Sequence, residues 1–273
     1  MTMIHFAKAH ACGNDFLIVE SPLHDTEKLR AQAIQLCSRN TSVGADGVEY
    51  LEMTGERSGR IRLFNADGSI AEISGNGTRC VAAYVAHKKH LAAGDTVMLE
   101  TDAGERTSHI VSAEGHHFQM KAEMGVPTVQ DQTVQLEDGS IVHGVSVSTG
   151  NPHFVLFVND ESFTLQGKSW QELGREICFH RDFPEQTNVE FVHQRSDREI
   201  AIRIFERGVG PTSSSGTGTC ATATATLVKR AAAAHLLVHA PGGAQTVDWQ
   251  GDGTQLRLTG PAELIAYGEA FVD

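Results

Sequence analysis

One internal repeat limits what this chain can fold into more than any other feature: two separate segments recur at the same offset of 141 residues. Ile61-Arg62-Leu63-Phe64 returns as Ile202-Arg203-Ile204-Phe205, and Ser74-Gly75-Asn76-Gly77-Thr78 returns as Ser215-Gly216-Thr217-Gly218-Thr219. Each half therefore reads as strand, loop, Ser-Gly-x-Gly-Thr and Ala-rich helix. A looser echo links Gly13-Asn14-Asp15-Phe16 with Gly150-Asn151-Pro152-His153-Phe154. Two homologous lobes, each a sheet around a central helix, account for all three matches.

Alternating apolar and polar runs such as Glu199 to Phe205 read as strands, which dominate the pattern. Helices are expected at Asn76 to Ala93 and Thr217 to Ala234, where small residues follow a Gly-containing turn. A third is expected over Asp25 to Cys37 with Thr26 as a capping candidate, and a fourth over Ser169 to Ile177.

Acidic residues outnumber basic ones 34 to 22 among 273 residues, so the chain lacks the positive field that a nucleic-acid partner requires. The N-terminus lacks the basic and apolar regions of a secretion signal. The longest uncharged run, Gly208 to Val228, is too rich in Gly, Ser and Thr to read as a membrane span. A cytoplasmic protein without a membrane partner is expected. The five cysteines contain no C-x-x-C pair and read as buried, reduced thiols.

Nucleotide and metal motifs fail on inspection. Gly216 to Ala221 fits a dinucleotide-binding Gly pattern, but the acidic residue expected about twenty positions on is missing, since the first acid after Glu206 is Asp248. Gly167-Lys168-Ser169 lacks the upstream Gly of a phosphate-binding loop. His235 and His239 have helical spacing within a strand-like stretch, so neither metal nor cofactor is expected.

The repeated loop has a chemistry of its own. The first amides of a helix have no intrahelical partner, and the helix dipole adds partial positive charge, so each Ser-Gly-x-Gly start suits a carboxylate or phosphate. Ser74 and Ser215 would flank such an anion. Asn14, Asn65, Asn76, Asn151, His153, Asn188, Glu206 and Arg207 gather around the repeats. Singly, each asparagine is as well explained by a turn. Glu206 and Arg207 could pair with each other, or Arg207 could present its planar fork to a substrate carboxylate.

In order along the chain, Lys8 to Phe16 (KAHACGNDF), Gly44 to Gly47 (GADG), Phe64 to Arg79 (FNADGSIAEISGNGTR), Gly150 to Phe154 (GNPHF), Thr187-Asn188-Val189 and Glu206 to Gly210 (ERGVG) resemble the diaminopimelate epimerases. That family inverts amino-acid stereocentres without pyridoxal phosphate or metal. The resemblance implies an α+β fold of two pseudo-symmetric lobes, each a mixed β-sheet wrapped around a central α-helix. Residues 1–117 with 263–273 would form one lobe and 118–262 the other, with the site in the cleft between them. It implies conversion of LL- to meso-diaminopimelate by two-base α-proton transfer, a homodimer, and no cofactor. By the same resemblance, Asn14, Asn65, Asn151, Asn188 and Arg207 contact substrate, Gly75, Asn76, Gly216 and Thr217 hold the carboxylate beside the reacting carbon, and His153 and Glu206 support catalysis.

One departure bears on the chemistry. The family has cysteine at the first position of each Ser-Gly-x-Gly, one removing the α-proton and one returning it, whereas this chain has Ser74 and Ser215. A thiol with a reference pKa of about 8.5 is readily a base at a helix start. A hydroxyl serves only if a neighbour takes its proton, and His153 and Glu206 are the candidates. Three readings remain open: deliberate replacement of cysteine, a natural isomerase acting on this or another substrate, and an inactive homologue that binds a diaminopimelate-like amino acid. Pro211-Thr212-Ser213-Ser214 departs from the family's usual Glu-Thr-Leu-Ala before the second site, which favours a natural variant.

Overall fold

The computed structural model describes residues 2–71 and 73–272. They divide into two compact units, one running to Ala122 and taking in Thr259 onward, the other spanning Glu123–Leu258.

The first unit contains β1 (Thr2–Ala11), β2 (Asn14–Glu20), α1 (Thr26–Cys37), β3 (Gly47–Met53), β4 (Ser58–Asn65), β5 (Ile70–Ala71), α2 (Gly75–Lys88), β6 (Thr96–Thr101), β7 (Gly104–Glu114) and nearly all of β8 (His117–Glu123). The second contains β9 (Thr128–Gln135), β10 (Ile141–Ser148), β11 (Pro152–Phe157), α3 (Trp170–Cys178), β12 (Asn188–Gln194), β13 (Glu199–Glu206), β14 (Gly210–Thr212), α4 (Gly216–Lys229), β15 (His235–Ala240) and β16 (Gly243–Asp248). The long β17 (Arg257–Val272) returns to the first unit, where it pairs with β1 and β8.

In the first unit the strands pair in a ring: β1 with β2, β2 with β3, β3 with β4, β4 with β6, β6 with β7, β7 with β8, and β17 between β8 and β1. The β2–β3 and β4–β6 pairs are parallel and the sheet is mixed. Enclosed on all sides, α2 buries every residue from Asn76 to Ala83, with Val85 and Ala86. Apart from Arg79, which is fully buried, the enclosed side chains are small, as a ring of this size requires. They meet Ala9, Ile18, Leu51, Leu63, Leu99, Met120 and Leu264 in one core.

The second unit repeats the scheme. Strand β11 runs parallel to β12, β12 antiparallel to β13, β13 parallel to β15, and β15 antiparallel to β16, matching β2, β3, β4, β6 and β7 pair for pair. Helix α4 packs against β10 to β13, β15 and β16. Its interior threonines would be costly if their hydroxyls lacked partners. Thr219, Thr222, Thr224 and Thr226 instead donate to the carbonyls of Ser215, Thr219, Cys220 and Thr222 at 2.7–2.9 Å.

Both central helices stop short of their expected ends. Helix α2 closes at Lys88 because His90 takes a left-handed backbone (φ 54°), letting its amide reach the His87 carbonyl while the Leu91 amide reaches Ala86. That is a Schellman stop without the glycine that usually announces one. Beyond Lys229 the alanines look helical, but Gln194, Asp197 and Trp249 bond the backbone of Ala231, Ala233 and Ala234 and draw the chain toward β15. At α1 the cap is Asp25, which accepts from the Lys28 amide at 3.1 Å, and not Thr26. Helix α3 starts with a capping box between Ser169 and Glu172.

Candidate active site

Ser74 and Ser215 occupy the same structural position in their respective units, the N-cap of the central helix. Both have extended backbone. The Gly77 amide donates to Ser74 Oγ at 3.1 Å, and the Gly218 amide donates to Ser215 Oγ at 3.2 Å. Gly75 and Gly216 open the two helices, so the first-turn amides point toward the serines. Serine meets the local requirement of a helix start by itself, since its oxygen satisfies one orphan amide.

Around Ser215 the polar residues form a directed chain. Asn151 donates through Nδ2 to Thr217 Oγ1 at 3.3 Å, and Thr217 Oγ1 lies 3.4 Å from Ser215 Oγ. With its NH₂ so used, Asn151 offers Oδ1 to His153 Nε2 at 2.9 Å. That bond places a proton on Nε2. The opposite ring nitrogen, Nδ1, lies 2.7 Å from Glu190 Oε1, with both side chains fully buried. Either hydroxyl of the Thr217–Ser215 pair can donate, and once Ser215 loses its proton Thr217 turns its hydrogen to the Ser215 oxygen, so that the chain supplies a donor there.

Asn188 and Arg207 are also brought together. Asn188 accepts from the Arg207 amide at 2.9 Å and donates to the Pro152 carbonyl at 3.1 Å. The exposed Arg207 guanidinium reaches the Glu185 carbonyl at 3.0 Å, and no ion pair joins it to Glu206 among the described residues. Burial pushes the Glu206 carboxyl up to about 7, with the Glu190 charge adding to the rise and His153 opposing it. Neither His153 nor Glu206 bonds Ser215 directly among the described residues.

Around Ser74 the set is different. Arg79 donates to Asn76 Oδ1 at 2.6 Å, Asn76 to Asn14 Oδ1 at 3.3 Å, and Asn14 to Asp46 Oδ2 at 2.7 Å. Arg39 holds both Asp15 and Asp46 at 2.7 Å, and these bonds, with Lys8, hold the Asp15 carboxyl below the usual carboxylate range although burial opposes them. Asn65 bonds Ser69 Oγ at 2.9 Å inside its own hairpin turn.

The repeat shows what differs. Strand pairing sets Phe16 beside Gly47 in one unit and His153 beside Asn188 in the other, so His153 stands where the first unit has Phe16. Glu206 likewise stands where the first unit has Asn65. One pair escaped the sequence reading: Glu49 and Glu190, buried at the middle of β3 and β12. The signal was available, because Val48-Glu49-Tyr50 and Val189-Glu190-Phe191 match at the offset of 141. A glutamate between apolar residues in a buried strand has little structural reason to be there.

Cys80 and Cys220 lie wholly buried in the helices, and burial pushes the Cys80 thiol far up, which keeps it a thiol. Among the described residues, the one His/Glu grouping at metal-ligand spacing is His116, His117 and Glu263, on the surface of the first unit. Its members already pair as imidazole and carboxylate. No helix among the described residues is long and apolar enough to cross a membrane.

A family model described as diaminopimelate epimerase matches residues 6–130 and 145–265. Diaminopimelate epimerase of Halothermothrix orenii is 36% identical over 286 residues, covering 98% of each chain. That of Pelotomaculum thermopropionicum is 34% identical and covers 97% of this chain and 98% of its own. A chloroplastic diaminopimelate epimerase of Oryza sativa is 34% identical over 98% of this chain and 80% of its own. Among solved structures, a phenazine biosynthesis protein of the PhzF family from Bacillus anthracis aligns over the full length of both chains with a TM-score of 0.75 and 18% identity. A hydroxyproline epimerase from Agrobacterium vitis aligns over 99% of this chain and 93% of its own with a TM-score of 0.70 and 16% identity. These two likenesses concern the fold.

Proposed function

The chain belongs to the diaminopimelate epimerase family, and from that premise we propose that it is a cofactor-independent isomerase that inverts the α-carbon of diaminopimelate, converting the LL to the meso form. Ser74 and Ser215 take the two proton-transfer positions, one removing the α-proton and the other returning one to the opposite face. The observation that carries this reading is the donor chain that ends on Ser215 Oγ, from the Gly218 amide and from Thr217 behind Asn151 and His153. Donors converging on one oxygen stabilise negative charge there, which a hydroxyl needs before it can act as a base.

Gly75, Asn76, Gly216 and Thr217 are proposed to hold the substrate carboxylate at the two helix starts, where amides and dipole supply the attraction. Asn14, Asn65, Asn151, Asn188 and Arg207 are proposed as contacts for the remainder of the amino acid, with Glu206 and His153 in support. We also expect a cytoplasmic homodimer without a nucleic-acid or membrane partner. Met3, Ile265, Tyr267 and Phe271 stay exposed on β1 and β17, and an apolar outer face of this kind suits a second copy.

The test is α-proton exchange: the purified protein is incubated with LL- and meso-diaminopimelate in deuterium oxide, and uptake of deuterium is followed by mass spectrometry beside a Ser215→Ala control. Exchange that vanishes in the control establishes the site. A second reading, an amino-acid binder on an epimerase scaffold, is favoured by the fact that each serine already has a structural use as a helix cap. Ligand-dependent stabilisation without exchange selects it.

A further inference from the structure

Glu49 is the one buried acid among the described residues of the first unit whose place neither packing nor pairing explains. It sits in mid-strand with 1% of its surface exposed, and neither carboxylate oxygen has a hydrogen-bond partner among the described residues. Leaving a buried polar group unpaired costs on the order of 1–3 kcal/mol, so a fold without a use for it would place an apolar residue here. Burial alone lifts its carboxyl to about 8, so it carries its proton at neutral pH.

Its position is specific. A Cβ on Gly77 would fall 2.0 Å from Glu49 Oε1 and 3.3 Å from Ser74 Cβ. The carboxyl and the serine thus flank the same missing side chain, and the amide of that glycine is what caps Ser74. In the other unit a Cβ on Gly218 would fall 2.9 Å from Glu190 Oε1 and 3.3 Å from Ser215 Oγ. One arrangement is therefore built twice: carboxyl, glycine gap, serine. Both carboxyls have apolar strand neighbours, and the copies differ in one partner: Glu190 is hydrogen-bonded to His153, whereas the first unit has Phe16 at that register position.

We propose that Glu49 and Glu190 are positioning residues for Ser74 and Ser215, each holding the proton that the serine in front of it gives or receives. This rests on the epimerase reading above. Neither carboxyl bonds its serine at rest among the described residues, so the carboxyl first rotates into the gap that the glycine leaves. On the removing face, the serine oxygen then takes the α-proton while its own hydroxyl proton passes to that acid group, and the C–H electron pair stays on carbon. On the returning face, the other serine gives its hydroxyl proton to that carbon, forming the new C–H bond, and is refilled by the acid behind it. One proton is lost and one gained by the substrate, and nothing is oxidised or reduced. Exchange with water through the serine hydroxyls then resupplies the acid that gave and discharges the one that received. In the direction that starts with Ser215, the Glu190–His153 pair receives and Glu49 gives.

Glu49 acts electrostatically on Cys80 of α2, as do Arg79 of the same helix, Asp15 of β2 and Cys12 of the turn before it, while burial is what shifts Glu49 itself. Glu49→Gln keeps the shape and neutrality of the carboxylic acid and removes only its proton. Inversion of diaminopimelate is expected to fall on the order of 10²-fold with KM unchanged, and the limb of the pH profile near 8 is expected to disappear. Inversion and pH profile equal to wild type would overturn the proposal. Amide NMR of Ser74 and Gly77 against pH reads the same coupling without turnover. Resonances moving with a midpoint near 8 in wild type, and flat in Glu49→Gln, support it; flat resonances in wild type overturn it. Absence of exchange in the wild-type protein sinks the epimerase reading alone, and the amide titration then decides whether Glu49 governs Ser74.

Discussion

His153 and Glu190 meet across adjacent parallel strands at 2.7 Å, with neither side chain exposed to solvent. Whichever of the two holds the shared proton, the pair is satisfied only while both are present. Glu190→Ala leaves His153 Nδ1 buried without a partner and should cost about 3 kcal/mol of unfolding free energy. Glu190→Gln can still bond the ring and should cost less than half as much. Urea unfolding of the three proteins checks the order; equal stability in Glu190→Ala would show that the pair holds nothing in place.

The serines can be tested as caps separately from any chemistry. Ser74→Ala and Ser215→Ala each remove the acceptor of one first-turn amide, so each should lose about 1 kcal/mol, and the double variant about twice that because the caps share no partner. Both should remain folded by circular dichroism. Loss of exchange in either single variant then reports on the site and not on collapse of the fold.

Gly77 offers a sharper packing test. An alanine there would drive its methyl group into Glu49 Oε1, 2.0 Å away, on a helix with no room to shift. Gly77→Ala should destabilise by about 1–3 kcal/mol. Adding Glu49→Ala should recover part of that loss, a coupling that a double-mutant cycle measures. Additive losses would mean that the carboxyl and the glycine do not meet.

The two-fold scheme of strands around a helix was legible because it is written twice, and a shared offset reveals a repeat even where single strands are ambiguous. Helix ends were not, since His90 supplies a left-handed stop without glycine and the alanines after Lys229 are claimed by long-range bonds. The two serine helix starts were legible from the repeat, and the structure joins Asn151, His153 and Thr217 beside one of them. Glu49 and Glu190 were missed because a buried glutamate is recognisable only by its lack of partners, and partners are set by strands distant in sequence. At Asn65 the hairpin was less legible than the residue: its amide donates to Ser69 Oγ within the turn, a bond that no motif announces.

Burial raises the folded-state carboxyls of Glu206 to about 7 and Glu49 to about 8, from an ordinary value of 4.5. The folded state therefore binds more protons than the unfolded chain between those limits. Their contribution to stability is fully present below about pH 4.5 and is lost as pH rises through 7 to 8. Unfolding free energy should fall across that window, by on the order of a few kcal/mol if both act. Glu206→Gln combined with Glu49→Gln should flatten the curve. A wild-type profile that rises from pH 5 to 8 would show that other groups dominate.

Restoring thiols tests whether acidity is what the two positions lack. A thiol has a reference pKa near 8.5, and a helix start with converging donors lowers it further, so cysteine at either N-cap would hold a useful thiolate fraction without help. A hydroxyl depends on the groups behind it. Ser74→Cys with Ser215→Cys should raise the inversion rate by about two orders of magnitude or more, and each single change should raise it less, because removal and return of the proton both limit the reaction. The double variant should also lose its dependence on Glu49, since a thiolate takes and gives the proton by itself. Quenched-flow or mass-spectrometric assay of LL- and meso-diaminopimelate reads both effects. A double variant as slow as wild type would place the obstacle in substrate fit, and the search would move from the proton carriers to the residues that receive the amino acid.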